Sequence, residues 1–239
     1  MIDTHAHLDA LDDDPADVVA RARDAGVTRI LTVGTAQAVE LAERFEDVWA
    51  IVGVHPHDSA TGDIEEVRSL QQHPKVVAVG ETGLDWFRNY ATPEAQRGMF
   101  EAQLGLATEL GKPLVIHTRA ADDDTLAALS AFEGTVVLHC FSSPRMLPTA
   151  LERGWYLSFA GNATYKNASE LRLAATQVPA DRILAETDCP YLAPQPVRGR
   201  PNEPAYVVHT VAALAQARGE DAAELAARID RNATACFAL

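Results

Sequence analysis

Short, nearly continuous apolar runs recur along the chain near residues 2–7, 28–34, 48–54, 76–81, 113–117, 135–140, 155–160 and 183–187. Each is rich in Val, Ile or Leu, the character of parallel strands covered on both faces. Between them lie stretches of helical spacing near 15–25, 36–45, 63–72, 93–110, 122–131, 144–153 and 168–177, and another near 204–218 follows the last strand. The longest starts with Thr92 as cap, Pro93 at the first position and Glu94 in the first turn, and stops at Gly111 before Pro113. Eight strands alternating with eight helices predict an α/β fold, a single (β/α)8 TIM barrel spanning residues 1–239 as one domain. The rival is a doubly wound open sheet, but no Gly-rich fingerprint follows the first strand. The Pro-rich stretch 189–204 follows the eighth strand directly and is expected to form an ordered loop over the barrel mouth.

Composition changes this picture little. The chain is 47% hydrophobic and 23% charged, ordinary for a globular protein with a sizeable core. No apolar run approaches the roughly 18 residues that would span a bilayer. His5 and His7 follow Met1 so closely that a cleaved leader would remove the first strand. Cys140, Cys189 and Cys236 are widely spaced and form no CxxC, so they read as reduced thiols. The expectation is a cytoplasmic monomer with no membrane partner. The net charge of −14 gives no global attraction for a polyanion, so affinity for nucleic acid would have to be local.

The candidate chemistry sits where the apolar runs end. Five of the eight histidines (His5, His7, His55, His117 and His139), with Glu81 and Asp188, occupy those ends. Active sites of barrels are built on the corresponding face. His5 and His7 are two apart on a strand and so point to one side, where neutral imidazoles suit a divalent cation. Packed core histidines are the alternative, and two of them would need two sets of buried partners. Glu81 can bridge two cations about 3.5–4 Å apart, or belong to a buried ion pair. His117 and His139 would hold the second cation, although a lone histidine at a strand end is more often hydrogen-bonded core than ligand, so each counts only with the others. Asp188 can bind metal and accept a proton from the attacking water, the general-base role. Arg119, Arg198 and Arg200 are candidate phosphate clamps or solvated charges, and His55 either contacts substrate or braces a loop. Trp86, Phe87 and Tyr191 are either base-stacking faces or core. His57, His73 and His209 read as surface or outer-layer residues, and Glu203 as an outer-layer acid or a cap for the helix after it.

Seven segments carry a family resemblance: Asp3-Thr4-His5-Ala6-His7, Gly53-Val54-His55-Pro56-His57, Gly80-Glu81-Thr82-Gly83-Leu84-Asp85, His117-Thr118-Arg119, His139-Cys140-Phe141-Ser142, Glu186-Thr187-Asp188-Cys189-Pro190-Tyr191-Leu192 and Arg198-Gly199-Arg200-Pro201-Asn202-Glu203-Pro204. In order, and over essentially the whole chain, they resemble the TatD-type metal-dependent deoxyribonucleases, compact barrels of the amidohydrolase-like group. The resemblance implies a first metal on His5, His7, Glu81 and Asp188 and a second on Glu81, His117 and His139. It also implies phosphodiester hydrolysis by a metal-activated water, typically removing nucleotides from DNA ends. Thr82, Trp86-Phe87 and Ser143 depart from the usual pattern without touching a proposed ligand. Imidazole-rich ligation suits Zn²⁺ or Mn²⁺, whereas the resemblance implies that Mg²⁺ supports activity. Two other readings stand beside the nuclease: a metallohydrolase of a small amide, lactone or ester, including an aminoacyl-tRNA bond, and a non-catalytic metal-binding scaffold. The scaffold is disfavoured because a structural site should be closed, and this one faces an open mouth.

Overall fold

The computed structural model describes residues 1–88 and 90–239. Strands β1 (Ile2–Ala6), β2 (Arg29–Gly34), β3 (Val48–Val52), β4 (Val76–Asp85), β5 (Leu114–Arg119), β6 (Val136–Leu138), β7 (Tyr156–Phe159) and β8 (Ile183–Ala185) form one sheet in that order. Every neighbouring pair is parallel. Between β1 and β8 the seam is drawn together just past the strand end. Asp188 N donates to His5 O at 2.9 Å and His7 N to Cys189 O at 2.9 Å. The result is the expected (β/α)8 barrel, with interior and helix-facing residues of the strands both buried.

Helices α1 (Pro15–Asp24), α2 (Ala36–Arg44), α3 (Ile64–Leu70), α4 (Pro93–Leu110), α5 (Asp122–Leu129), α6 (Leu147–Glu152), α7 (Ser169–Gln177) and α8 (Val207–Arg218) fall within the stretches anticipated for them. Thr92 Oγ1 accepts from Ala95 N at the start of α4, and Gly111 ends it with φ 63°, where a glycine carries no Cβ penalty.

Two features go beyond the periodicity. A ninth helix, α9 (Ala222–Phe237), is capped by Asp221, whose side chain accepts from Ala223 N and Glu224 N. It buries Leu225, Ile229, Ala233 and Phe237 and packs on β1 and β8, whereas α8 lies mainly on α7 and the 161–164 turn. The element that covers the seam is therefore α9. Strand β4 also continues past Glu81 to Asp85, pairing Gly83 with His117 and Asp85 with Arg119. The apolar run ends at Glu81 while backbone pairing persists, because Gly83, at φ 138°, lets β5 approach. A Cβ there would run into the His117 carbonyl oxygen. Strands β6 and β8 are shorter than expected, so His139 and Asp188 stand just beyond their ends. Among the described residues no helix is long and apolar enough to cross a membrane.

Candidate active site

At the C-terminal mouth of the barrel lies a cavity of about 1010 Å³, lined by His7, His55, Glu81, His117, His139 and Asp188 among others. Glu81 is only 4% exposed, and its two carboxylate oxygens face different histidines. Oε2 is 3.2 Å from His5 Nε2 and 3.6 Å from His7 Nε2. Oε1 is 2.8 Å from His117 Nδ1, 2.9 Å from His139 Nε2 and 3.4 Å from His55 Nε2. Asp188 Oδ1 completes the ring, 3.5 Å from His7 Nε2 and 4.0 Å from His5 Nε2. All six residues anticipated as ligands thus meet around one carboxylate, and His55 joins them.

The donor set fits a metal. Three overlapping groups each bring their nitrogen and oxygen atoms within 4.8 Å of one another: His5–His7–Glu81, His5–His139–Asp188 and His55–Glu81–His117. Hydrogen bonding alone would require five imidazole nitrogens to present protons to one carboxylate, whereas imidazole and carboxylate lone pairs are ready ligands for Zn²⁺, Mn²⁺ or Mg²⁺.

The electrostatics are those of densely packed opposite charges. Burial disfavours ionised Glu81, but His139, His55 and His117 outweigh it and hold the carboxyl well below its ordinary range. Burial likewise opposes charging His139, yet Glu81 and Glu186 raise its pKa well above the usual imidazole value. His5 goes the other way. Burial and the His139 ring stacked 3.9 Å away push it down to about 4, leaving a neutral imidazole at pH 7.

An outer layer holds these rings in place, and much of it escaped the sequence reading. Glu186 Oε1 lies 3.0 Å from His139 Nδ1 and accepts from Cys140 N at 2.8 Å. Asp85 Oδ2 is shared by His117 Nε2 at 3.1 Å and His57 Nε2 at 2.9 Å. His57 therefore belongs to the mouth, where it lines the cavity, rather than to the outer surface. Asp3 accepts from Thr187 N and Oγ1 and from His5 N, tying β1 to the segment after β8. Burial pushes Asp3 up to about 8 against those hydrogen bonds. A signal for Asp85 and Asp3 was available: each shares strand parity with a proposed ligand, Glu81 and His5 respectively.

The remaining candidates divide. Arg119 lines the cavity, with its guanidinium carbon 3.9 Å over the Phe87 ring. Arg198 lies 4.1 Å over Tyr165, and neither it nor Arg200 is among the residues lining the cavity. The Pro-rich loop is ordered as expected: buried Asn202 donates from Nδ2 to the carbonyls of Thr187 and Tyr191. Glu203 neither joins the site nor caps the following turn with its side chain, but accepts from Arg21 of α1 at 2.7 Å. Trp86 packs against the core and donates its indole N–H to Asp124 at 2.8 Å, whereas Phe87 and Tyr191 are exposed.

A parallel barrel with a histidine–carboxylate cluster at its C-terminal mouth defines the metallohydrolase class of (β/α)8 proteins. Within it the chain belongs to the TatD-related DNase family, whose model matches residues 2–238. A relative from Enterobacter lignolyticus, named 3′-5′ ssDNA/RNA exonuclease TatD, is 41% identical over 92% of this chain and 91% of its own length. One from Mycobacterium tuberculosis, an uncharacterized metal-dependent hydrolase TatD, is 41% identical over 100% of this chain and 98% of its own. Among solved structures, the TatD homologue YJJV of Escherichia coli superposes with a TM-score of 0.93 at 30% identity, covering 100% of this chain and 98% of that one.

Proposed function

We propose that this protein is a divalent-metal-dependent exonuclease that removes nucleotides from the ends of single-stranded DNA or RNA, with 3′ ends preferred. The observation that carries the reading is Glu81, whose two oxygens serve separate histidine sets at an open cavity. The names of the relatives support the substrate class and the end preference. His5, His7, Glu81 and Asp188 would hold one cation, and Glu81, His117 and His139 a second. Cations held there would supply Lewis-acid neutralisation of the phosphate oxygens and would acidify water, with Zn²⁺, Mn²⁺ and Mg²⁺ all compatible with the donors. Asp188 accepts a proton from the attacking water at its carboxylate oxygen. Glu186 and Asp85 fix the imidazoles of His139 and His117, as outer-layer carboxylates do in metal sites. Arg119 takes a phosphate at the rim, His55 lies close enough to the cluster to touch the scissile group, and Arg198 and Arg200, set back from the cavity, would meet a longer strand. The unpaired thiols of Cys140, Cys189 and Cys236 accord with a cytoplasmic setting.

The test is release of mononucleotides from 3′- and 5′-labelled single- and double-stranded oligonucleotides, with each metal and with chelator, beside esterase and deacylase panels. Metal-dependent release from 3′ ends of single strands is expected. Hydrolysis of an ester or aminoacyl bond with no nucleotide release under any metal would overturn the nuclease reading.

A further inference from the structure

Among the described residues, four large hydrophobic side chains are strongly exposed, and three of them gather at this one mouth: Phe87 (61%), Tyr90 (65%) and Tyr191 (58%). Tyr90 and Tyr191 line the cavity, and Phe87 lies under Arg119, which lines it too. Phe87 and Tyr90, joined through Arg88, form an exposed aromatic pair, and exposed apolar surface grouped in this way marks a binding site. Two of the three follow β4 directly, and Arg88 stands between them. Its guanidinium carbon is 5.9 Å from both ring centroids, and it donates to Tyr90 Oη at 3.0 Å.

This rim is continuous with the catalytic cluster. Tyr90 packs edge-on against His57 at 4.8 Å, His57 contacts Asp85, Asp85 contacts His117, and His117 contacts Glu81. Charge divides the mouth into two flanks. On the β1–β3 side the cavity is lined by Asp9, Asp58, Asp63 and Glu66, whereas the β4–β5 side presents Arg88 and Arg119. A polyanion entering the cluster is repelled by the first flank and met by cations on the second. With a whole-chain charge of −14, this lip is where local attraction is concentrated around the cavity.

We propose that the nucleotides next to the scissile phosphate leave the site over the β4–β5 lip, their unpaired bases stacking on Tyr90 and Phe87 and their phosphates meeting Arg88 and Arg119. The proposal rests on the nuclease reading and adds to it the path of the strand and a physical reason for the unpaired end. A duplex cannot offer base faces to two side chains, so the enzyme must act on single strands or frayed ends. Stacking reads every base by its π face, so the lip imposes no sequence preference.

The experiment compares kcat/KM for a single-stranded oligonucleotide with that for bis(p-nitrophenyl) phosphate, which carries no base, in the wild type and in Phe87→Ala, Tyr90→Ala and Tyr90→Phe. Each alanine variant should lower the oligonucleotide-to-small-substrate ratio roughly fivefold to a hundredfold, equivalent to about 1–3 kcal/mol per lost stack. Tyr90→Phe should preserve the ratio, since the face remains. A second arm measures binding of a cleavage-resistant phosphorothioate oligothymidylate to the metal-loaded protein, and there the alanine variants should weaken affinity by a similar factor. An unchanged ratio and unchanged affinity in both alanine variants overturns the lip. A wild type that binds the oligonucleotide through Tyr90 and Phe87 yet releases no nucleotide overturns the nuclease reading and leaves the lip standing.

Discussion

At the scale of single residues, the roles proposed for Asp188 and Glu81 are separable. Asp188 sits just beyond β8 with φ 56°, a left-handed conformation that Asp and Asn both tolerate. Asp188→Asn thus preserves the backbone, the volume and one ligating oxygen, and removes the carboxylate charge and with it the ability to take a proton. We expect metal content close to wild type and kcat lower by roughly 10²–10⁴-fold, as for loss of a general base. Metal-replete enzyme within a few-fold of wild type would transfer the role to another group at the mouth, with His55 next in line. Glu81→Ala should instead empty both metal positions, because each Glu81 oxygen faces its own histidine set. Elemental analysis showing full occupancy in that variant would refute the bridge. That these histidines would converge was legible in the sequence because strand parity and strand ends place them: His5 and His7 two apart, His117 and His139 where their apolar runs stop. Glu186 and His57 were not, since their partners, His139 and Asp85, lie on other segments and only the closed barrel brings them together.

At the scale of elements, apolar periodicity reported every strand but misplaced the ends of β4, β6 and β8 and missed one helix. Strand β4 outlasts its apolar run because Glu81, Thr82 and Asp85 are polar side chains buried at the site and Gly83 lets β5 approach, so pairing continues where apolar character stops. Helix α9 lay outside the eight-helix series and is recognisable only afterwards, from the Asp221 cap and the spacing of Leu225, Ile229 and Ala233. The β4–β5 approach can be tested. Gly83→Ala must adopt φ 138° and place a methyl group against the His117 carbonyl, so the two strands have to part. Forced overpacking of this kind typically costs about 1–3 kcal/mol, and here it also moves His117 away from Glu81. We expect a lower unfolding midpoint in denaturant together with weakened metal binding. Gly98→Ala is the matched control, since its Cβ would meet nothing within 4 Å inside α4. There the same change should stabilise by roughly 0.5–1 kcal/mol. If Gly83→Ala binds metal as tightly as wild type, the glycine is not what sets the β4–β5 spacing at the site.

At the scale of the whole molecule, the charge of −14 and the small number of cations at the mouth make a statement about salt. A protein that binds single strands through many lysines and arginines loses affinity steeply as salt rises, with a slope of about −0.7 per neutralised phosphate on a log–log plot. The cavity presents two arginines, Arg88 and Arg119, opposite an acidic flank. For an oligonucleotide too short to reach Arg198 and Arg200, two phosphate contacts predict a slope near −1.4, or roughly a sevenfold loss of kcat/KM between 50 and 200 mM monovalent salt. Screening of the long-range repulsion between the acidic surface and the strand opposes even that loss, so the observed slope should be shallower still. Arg88→Ala and Arg119→Ala should each flatten it by about 0.7. The measurement is a salt titration of oligonucleotide turnover at saturating metal, with bis(p-nitrophenyl) phosphate, a single-phosphate diester without a polyanionic backbone, as the reference. A loss of a thousandfold over that range would mean an extensive basic track on the protein, which neither this charge nor this cavity provides, and the strand would then have to follow a different surface.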